Sequence, residues 1–259
     1  MKRSLTLALG AMLSLTTLCA AEITDFPEKA DWRDSPNIKT MPDDVLELAK
    51  GVVTSTEMIK ADPAKTTILS GDFRSTVPGK KVRIYLAFSP ADAKKDAITA
   101  YHVNIVPSTD TVLAAPVKRG DTTLLVKDGS KFRAGTKVVF NTKDDYSDLP
   151  NREVSHGNFK KAEKLPDGTW KITLTLKMHK EYPAGTKVRL HANGGYQYVS
   201  IFDLSDTNWK SVNGSVKGMV KTGMGGRMWT PGTAFANIVI FTNNNTPIQF
   251  RNIKLEVKD

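Results

Sequence analysis

The strongest constraint in this sequence is an alternation. Val82, Ile84, Leu86 and Phe88 are separated by Arg83, Tyr85 and Ala87, and Trp170, Ile172, Leu174 and Leu176 by Lys171, Thr173 and Thr175. A repeat of two puts one set on one face of a β-strand and the other set on the opposite face. Ala236 to Phe241 is apolar at nearly every position, as a strand covered on both faces is. In the last run Ile248 and Phe250 share one parity, while Ile253, Leu255 and Val257 share the other. That switch predicts a β-bulge, or a bend between sheets, near Arg251-Asn252. Turn signals at Pro78-Gly79, Asp128-Gly129, Asp167-Gly168, Gly194-Gly195 and Asn243 to Pro247 cut the chain into short strands. An all-β sandwich or barrel follows. One segment is ambiguous. Pro42-Asp43-Asp44, then Val45 to Lys50 and Gly51, has an acidic first turn and a terminal Gly that suit a helix, yet Val45, Leu46 and Leu48 serve a strand equally well.

The amino-terminal end reads as a processing segment. Lys2 and Arg3 precede an apolar stretch from Leu5 to Leu18, and Cys19-Ala20-Ala21 offers small residues before Glu22. Residues 1–21 are expected to be a cleavable secretory signal, because the stretch is short for a membrane anchor. The bulky Leu18 argues against lipidation at Cys19. Cleavage removes the only cysteine, so the remaining chain carries no disulfide and must rely on a hydrophobic core. The localisation expected is secreted or periplasmic, and no later segment reaches the length of a membrane span. Charge points the same way. There are 37 Lys and Arg against 27 Asp and Glu, a net charge of +10 that falls to +8 without Lys2 and Arg3. Such a chain suits anionic partners such as acidic polysaccharide, or simply has a solvated lysine-rich surface. Export argues against nucleic acid.

Ala134-Gly135-Thr136-Lys137-Val138 recurs as Ala184-Gly185-Thr186-Lys187-Val188. Each copy is a turn feeding a strand. Two copies are too few for a solenoid and fit two hairpins of one small β module, placed at 113–192. Lys160, Lys161, Lys164, Lys171, Lys177 and Lys180 crowd it. They attract an acidic polymer or protect a strand edge.

Outside that module, several segments resemble one family in order. They are Thr66 to Ser75, the strand Val82 to Phe88, Thr207-Asn208-Trp209 leading into Val212 to Val216, the strand Ala236 to Phe241, and the closing Phe250-Arg251-Asn252-Ile253-Lys254-Leu255-Glu256. This pattern resembles the jelly-roll, or galactose-binding-like, carbohydrate-binding modules of secreted proteins from polysaccharide-degrading bacteria. The resemblance implies a two-sheet jelly-roll sandwich over 22–112 and 193–259, interrupted by the small β insertion, and it implies glycan binding. Where the family pattern has an Asp before the Asn this chain has Arg251, which counts against a structural calcium there.

Modules of that kind hold sugars on aromatic rings. Trp229 follows the Gly223 to Gly226 loop and precedes Pro231-Gly232, so it is expected at a loop edge, with Arg227 beside it. Tyr85 and Tyr101 complete the candidate ligand contacts. Trp209 is expected in the core, and so are Tyr196 and Tyr198, which share one parity. Asp144, Asp145 and Asp148, near Asn151 and Glu153, form an oxygen-rich loop that either holds calcium or is solvated. No other cofactor is expected. Catalytic patterns are missing from the sequence. The glutamates are scattered, Asp203 and Asp206 straddle a turn-like Leu-Ser, and there is no His-Glu-x-x-His or Gly-x-Ser-x-Gly. Gly79-Lys80-Lys81 lacks the rest of a phosphate loop. The expectation is a non-catalytic extracytoplasmic carbohydrate-binding protein that favours acidic glycans. Its rivals are an envelope component that binds another protein and a divergent polysaccharide-active enzyme.

Overall fold

The computed structural model describes residues 21–33, 36–242 and 245–259. The expected leader, apart from Ala21, lies outside the described residues, and so do Asn243 and Asn244 of the expected turn. The first part of the chain forms β1 (Glu22–Asp25), β2 (Ile38–Met41), β3 (Val45–Leu48), β4 (Gly51–Thr54), β5 (Ile59–Lys60), β6 (Thr66–Ser75) and β7 (Val82–Ala91). A one-turn helix α1 (Ala100–Val103) follows. Next come β8 (Thr111–Val112), β9 (Thr123–Val126), β10 (Lys137–Phe140), β11 (Phe159–Lys164), β12 (Trp170–Leu174) and β13 (Lys187–His191). The last part is β14 (Gln197–Leu204), β15 (Lys210–Val216), β16 (Phe235–Thr242) and β17 (Ile248–Lys258).

The result is an all-β sandwich. One sheet runs β15-β6-β17-β3-β2, with β1 also paired to β17. The other runs β14-β7-β16-β4, with β5 also paired to β16. Alternation drives both. Every second residue of β6 is buried, so Leu69 and Phe73 point inward. In β7 the inward set is Val82, Ile84, Leu86 and Phe88. These meet Leu48, Ile238, Ile240, Ile248 and Phe250 in one apolar core. Each such side chain contributes roughly 1.5–3 kcal/mol when fully buried. The parity switch in the last run is a β-bulge: the register of β17 on β6 shifts between Arg251 and Lys254, and Asn252 takes φ 53°.

The ambiguous segment is a strand. Val45–Leu48 pairs with β2 on one side and β17 on the other. Asp43 and Asp44, both with positive φ, make the turn from β2 into β3. Long-range pairing decides here, because a helix over these residues would leave the sheet interrupted at β17. Leu176 also departs from its sequence pattern. It lies beyond the end of β12 and is 53% exposed.

A second core collects Val106, Leu113, Val126, Val138, Phe140, Phe159, Ile172, Val188 and Leu190. Two three-stranded sheets surround it, β10-β13-β8 and β11-β12-β9. The repeated pentapeptide explains its centre. In both copies the Gly has φ near 80° (81° at Gly135, 82° at Gly185), and the Thr hydroxyl donates three residues back, Thr136 to the Arg133 carbonyl and Thr186 to that of Pro183. The strands that follow, β10 and β13, pair with each other antiparallel, Lys137 opposite His191 and Phe140 opposite Val188. β11 is an edge strand, and its Lys160, Lys161 and Lys164 are exposed. Charged side chains there discourage pairing with another chain.

Candidate functional site

Trp229 corrects the sequence expectation. It is not at a loop edge but wholly buried in the sandwich core, 5.0 Å from Phe88 between ring centroids. Buried Gln197 is responsible. Its side-chain amide donates to the carbonyls of Gly226 and Met228, and its oxygen accepts from the amide and hydroxyl of Thr230. Gly225 lets the loop fold this tightly, since a Cβ there would collide with the Met228 carbonyl. Trp229 therefore offers no face to a ligand. Arg227 stays exposed on the same loop.

Tyr85 lies elsewhere, on the outer face of the β14-β7-β16-β4 sheet. Its ring is 5.1 Å from Tyr198 and 5.2 Å from Phe241. All three are half-buried. The registers place Val52, Phe241, Tyr85 and Ile201 side by side on β4, β16, β7 and β14. The ends of this row are open, Val52 at 38% and Ile201 at 55% exposure. One step along the same face, Arg83 opposes Asp203 and makes two hydrogen bonds to its carboxylate, at 2.9 and 3.2 Å. The hydrogen bonds from Arg83 and Lys81 hold the Asp203 carboxyl down at about 2. Tyr198 is thus not core but part of an outward strip of three rings, bordered by a charged pair. Sequence parity showed only that Tyr85 faces away from the core; its neighbours come from strands more than 100 residues distant.

Tyr101 sits on α1, in a different setting. A cleft of about 480 Å³ is lined by Thr99, Tyr101, His102, Lys137, Val154, Ser155, His156 and His179. The Lys137 ammonium lies 5.1 Å from the centre of the Tyr101 ring and donates to the carbonyls of Ser155 and His156 at 3.3 and 2.9 Å. Burial holds its pKa below the usual lysine range. His156 and His179, both exposed, meet edge to face with centroids 5.7 Å apart. None of Lys137, His156 and His179 was singled out from sequence as a site residue, because each stands alone in the chain.

A buried network fixes this end of α1. Arg189 donates to the Asp148 carboxylate at 2.6 Å, to the Lys143 carbonyl at 3.0 Å and to His191 Nε2 at 3.0 Å. His191 must then carry its proton on Nδ1, which donates to the Tyr101 carbonyl at 2.8 Å. Burial, chiefly, drives the His191 pKa down to about 4. Burial also opposes the Asp148 charge, but hydrogen bonds from Asn151 and Arg189 outweigh it and leave the carboxyl below its ordinary value.

The acidic loop is consumed by such contacts. Asp148 serves Arg189, Asp144 pairs with Lys187 at 2.7 Å, and Asp145 accepts from the Ser147 amide. Among the described residues no group of three or more His, Cys, Asp or Glu is arranged to hold a metal ion. The three carboxylates of the expected calcium loop, Asp144, Asp145 and Asp148, thus point to three separate partners.

Trp209 is another correction. It is half-buried outside the core, with the guanidinium carbons of Arg74 and Arg251 at 4.4 and 4.3 Å from its ring. Arginine–indole attraction of this kind fixes the ring and occupies it. Arg251 takes this role at the position where the resemblance would place an Asp.

Among the described residues no helix is long and apolar enough to cross a membrane. No protein-family model, no curated protein and no solved structure matches the chain.

Proposed function

We propose that this chain is a non-catalytic carbohydrate-binding protein acting outside the cytoplasm, and that it takes its ligand on the Tyr85–Tyr198–Phe241 strip. One observation carries the reading: on an outer sheet face the Tyr85 ring packs against both Tyr198 and Phe241, and all three are partly open to solvent. A pyranose presents a face of C–H groups that packs on aromatic carbon, and its rim of hydroxyls needs polar partners alongside. Arg83 and Asp203, one register step away, have the chemistry for that rim. The net charge, +10 for the full sequence and +8 without Lys2 and Arg3, favours acidic glycans among the candidates. The resemblance to jelly-roll carbohydrate-binding modules and the export signal point in the same direction.

The test is affinity electrophoresis through gels containing neutral or acidic polysaccharides. At least one polymer should retard the protein, and Tyr85→Ala or Tyr198→Ala should run as in a gel without polymer. If no polymer retards the wild type, or if both variants are retarded as the wild type is, the reading fails. Circular dichroism of each variant separates loss of the platform from loss of fold.

A second reading draws on Val52 and Ile201. Two exposed aliphatic side chains at the ends of the ring row extend it into an apolar patch, which suits a protein partner rather than a sugar. Ile201→Ser distinguishes the two: it should weaken a protein complex and leave polysaccharide retardation unchanged.

A further inference from the structure

The cleft beside Tyr101 carries an inference independent of the ring strip. Each of its ionisable walls other than the Tyr101 phenol is a base: Lys137, His102, His156 and His179. No carboxylate is among the residues that line it, and two that lie nearby in sequence have partners of their own. Asp92 pairs with Arg152 at 2.7 Å, and Glu153 accepts from the Asn141 side chain at 2.9 Å. Lys137 is held in place by two carbonyl oxygens and a ring face, none of which cancels its charge. The repeated pentapeptide supplies a comparison within the same molecule. Lys187 occupies the position of Lys137 in the second copy, and there Asp144 neutralises it at 2.7 Å. His102 adds a donor. Its Nδ1 accepts the Thr99 amide at 3.2 Å, so the neutral ring carries a proton on Nε2. Fixed positive charge with ready donors and no acidic wall suits a ligand that only accepts hydrogen bonds and brings negative charge.

We propose that this cleft is an oxyanion-binding site, receiving a carboxylate, sulfate or phosphate group against Lys137, with His156 and His179 at its mouth. The partly desolvated ammonium gains most, because a bound anion restores the stabilisation that burial removes. The chemistry is shared by free inorganic anions and by the acidic groups of a polysaccharide, and the experiment separates these sources.

The isotope-labelled protein is titrated near neutral pH, at constant ionic strength, with sodium sulfate, sodium phosphate, galacturonate and oligogalacturonate, with chloride as the control. NMR should show saturable shifts at Tyr101, Lys137 and His156 for at least one oxyanion and none for chloride. Lys137→Gln should weaken binding about tenfold or more, and Lys137→Arg should retain it. Shifts with sulfate or phosphate but not the sugar acids identify a free anion as the source. Tighter binding of galacturonate or its oligomer identifies an acidic glycan. Either result supports the site. Absence of saturable shifts for every oxyanion overturns it, and so does unchanged affinity in a folded Lys137→Gln. Should Lys137→Gln misfold, His179→Gln at the exposed mouth decides, and unchanged affinity there overturns the proposal. Tyr85→Ala should leave sulfate binding intact, so failure of the ring strip and failure of this cleft are read separately.

Discussion

Lowering the pH from 7 to 5 should destabilise this protein through one buried imidazole. His191 is fully buried, accepts from Arg189 and donates to the Tyr101 carbonyl, an arrangement that only the neutral ring satisfies. Its pKa is about 4 when folded, against an ordinary 6.5. The unfolded chain therefore binds a proton in this window that the folded chain refuses. Stability is fully present above pH 6.5 and is lost as pH falls toward 4. The full difference is worth about 3 kcal/mol, of which about 2 kcal/mol is gone by pH 5. His102 moves in the same direction, and Asp148 adds a loss of its own only below the usual carboxylate range. The assay is urea unfolding at several pH values between 7 and 5, comparing the wild type with His191→Gln. The wild-type midpoint should fall by roughly 1 M, and the variant, less stable at pH 7, should fall distinctly less. Parallel curves for the two proteins would refute the assignment of this proton to His191.

Other outcomes follow from the same packing. Arg189→Met leaves the Asp148 carboxylate buried without its cation and should cost about 3–5 kcal/mol, measured by the same unfolding assay. Trp229→Ala opens a cavity beside Phe88 and should cost about 3–5 kcal/mol, while polysaccharide retardation, measured on the folded fraction, stays as in the wild type. Gly214→Val should destabilise strongly, because a Cβ there would strike the Val199 carbonyl where β15 passes β14; thermal unfolding checks it.

The strands were legible in the sequence where one face is buried and the other is not. Val82 to Phe88 declares its inward set by alternation alone, and the bulge at Arg251-Asn252 declares itself by the change of parity. Local pattern ran out where a distant strand decides. Val45 to Leu48 is a strand because β17 and β2 flank it, and nothing within the segment says so. Trp229 looked like a loop-edge ring because Gly and Pro surround it, yet the side chain of Gln197, some thirty residues earlier, ties that loop down. The carboxylates at 144, 145 and 148 looked like one cluster because they are close in sequence, and the loop turns them apart. The ring strip was half visible. Tyr85 could be placed on the outer face, but Tyr198 and Phe241 reach it only through the register of two other strands.

The duplicated turn has one more consequence. Two copies of a turn present two lysines from the same kind of scaffold, and only one of them is capped by an acid. The molecule thereby contains its own control. Asp144→Asn would uncover Lys187 without touching the cleft, and Val154→Asp would set an acid among the groups that line it. Exchanging the two states within one chain asks whether anion capture belongs to a bare lysine wherever it stands, or to the walls that the first copy alone has around it.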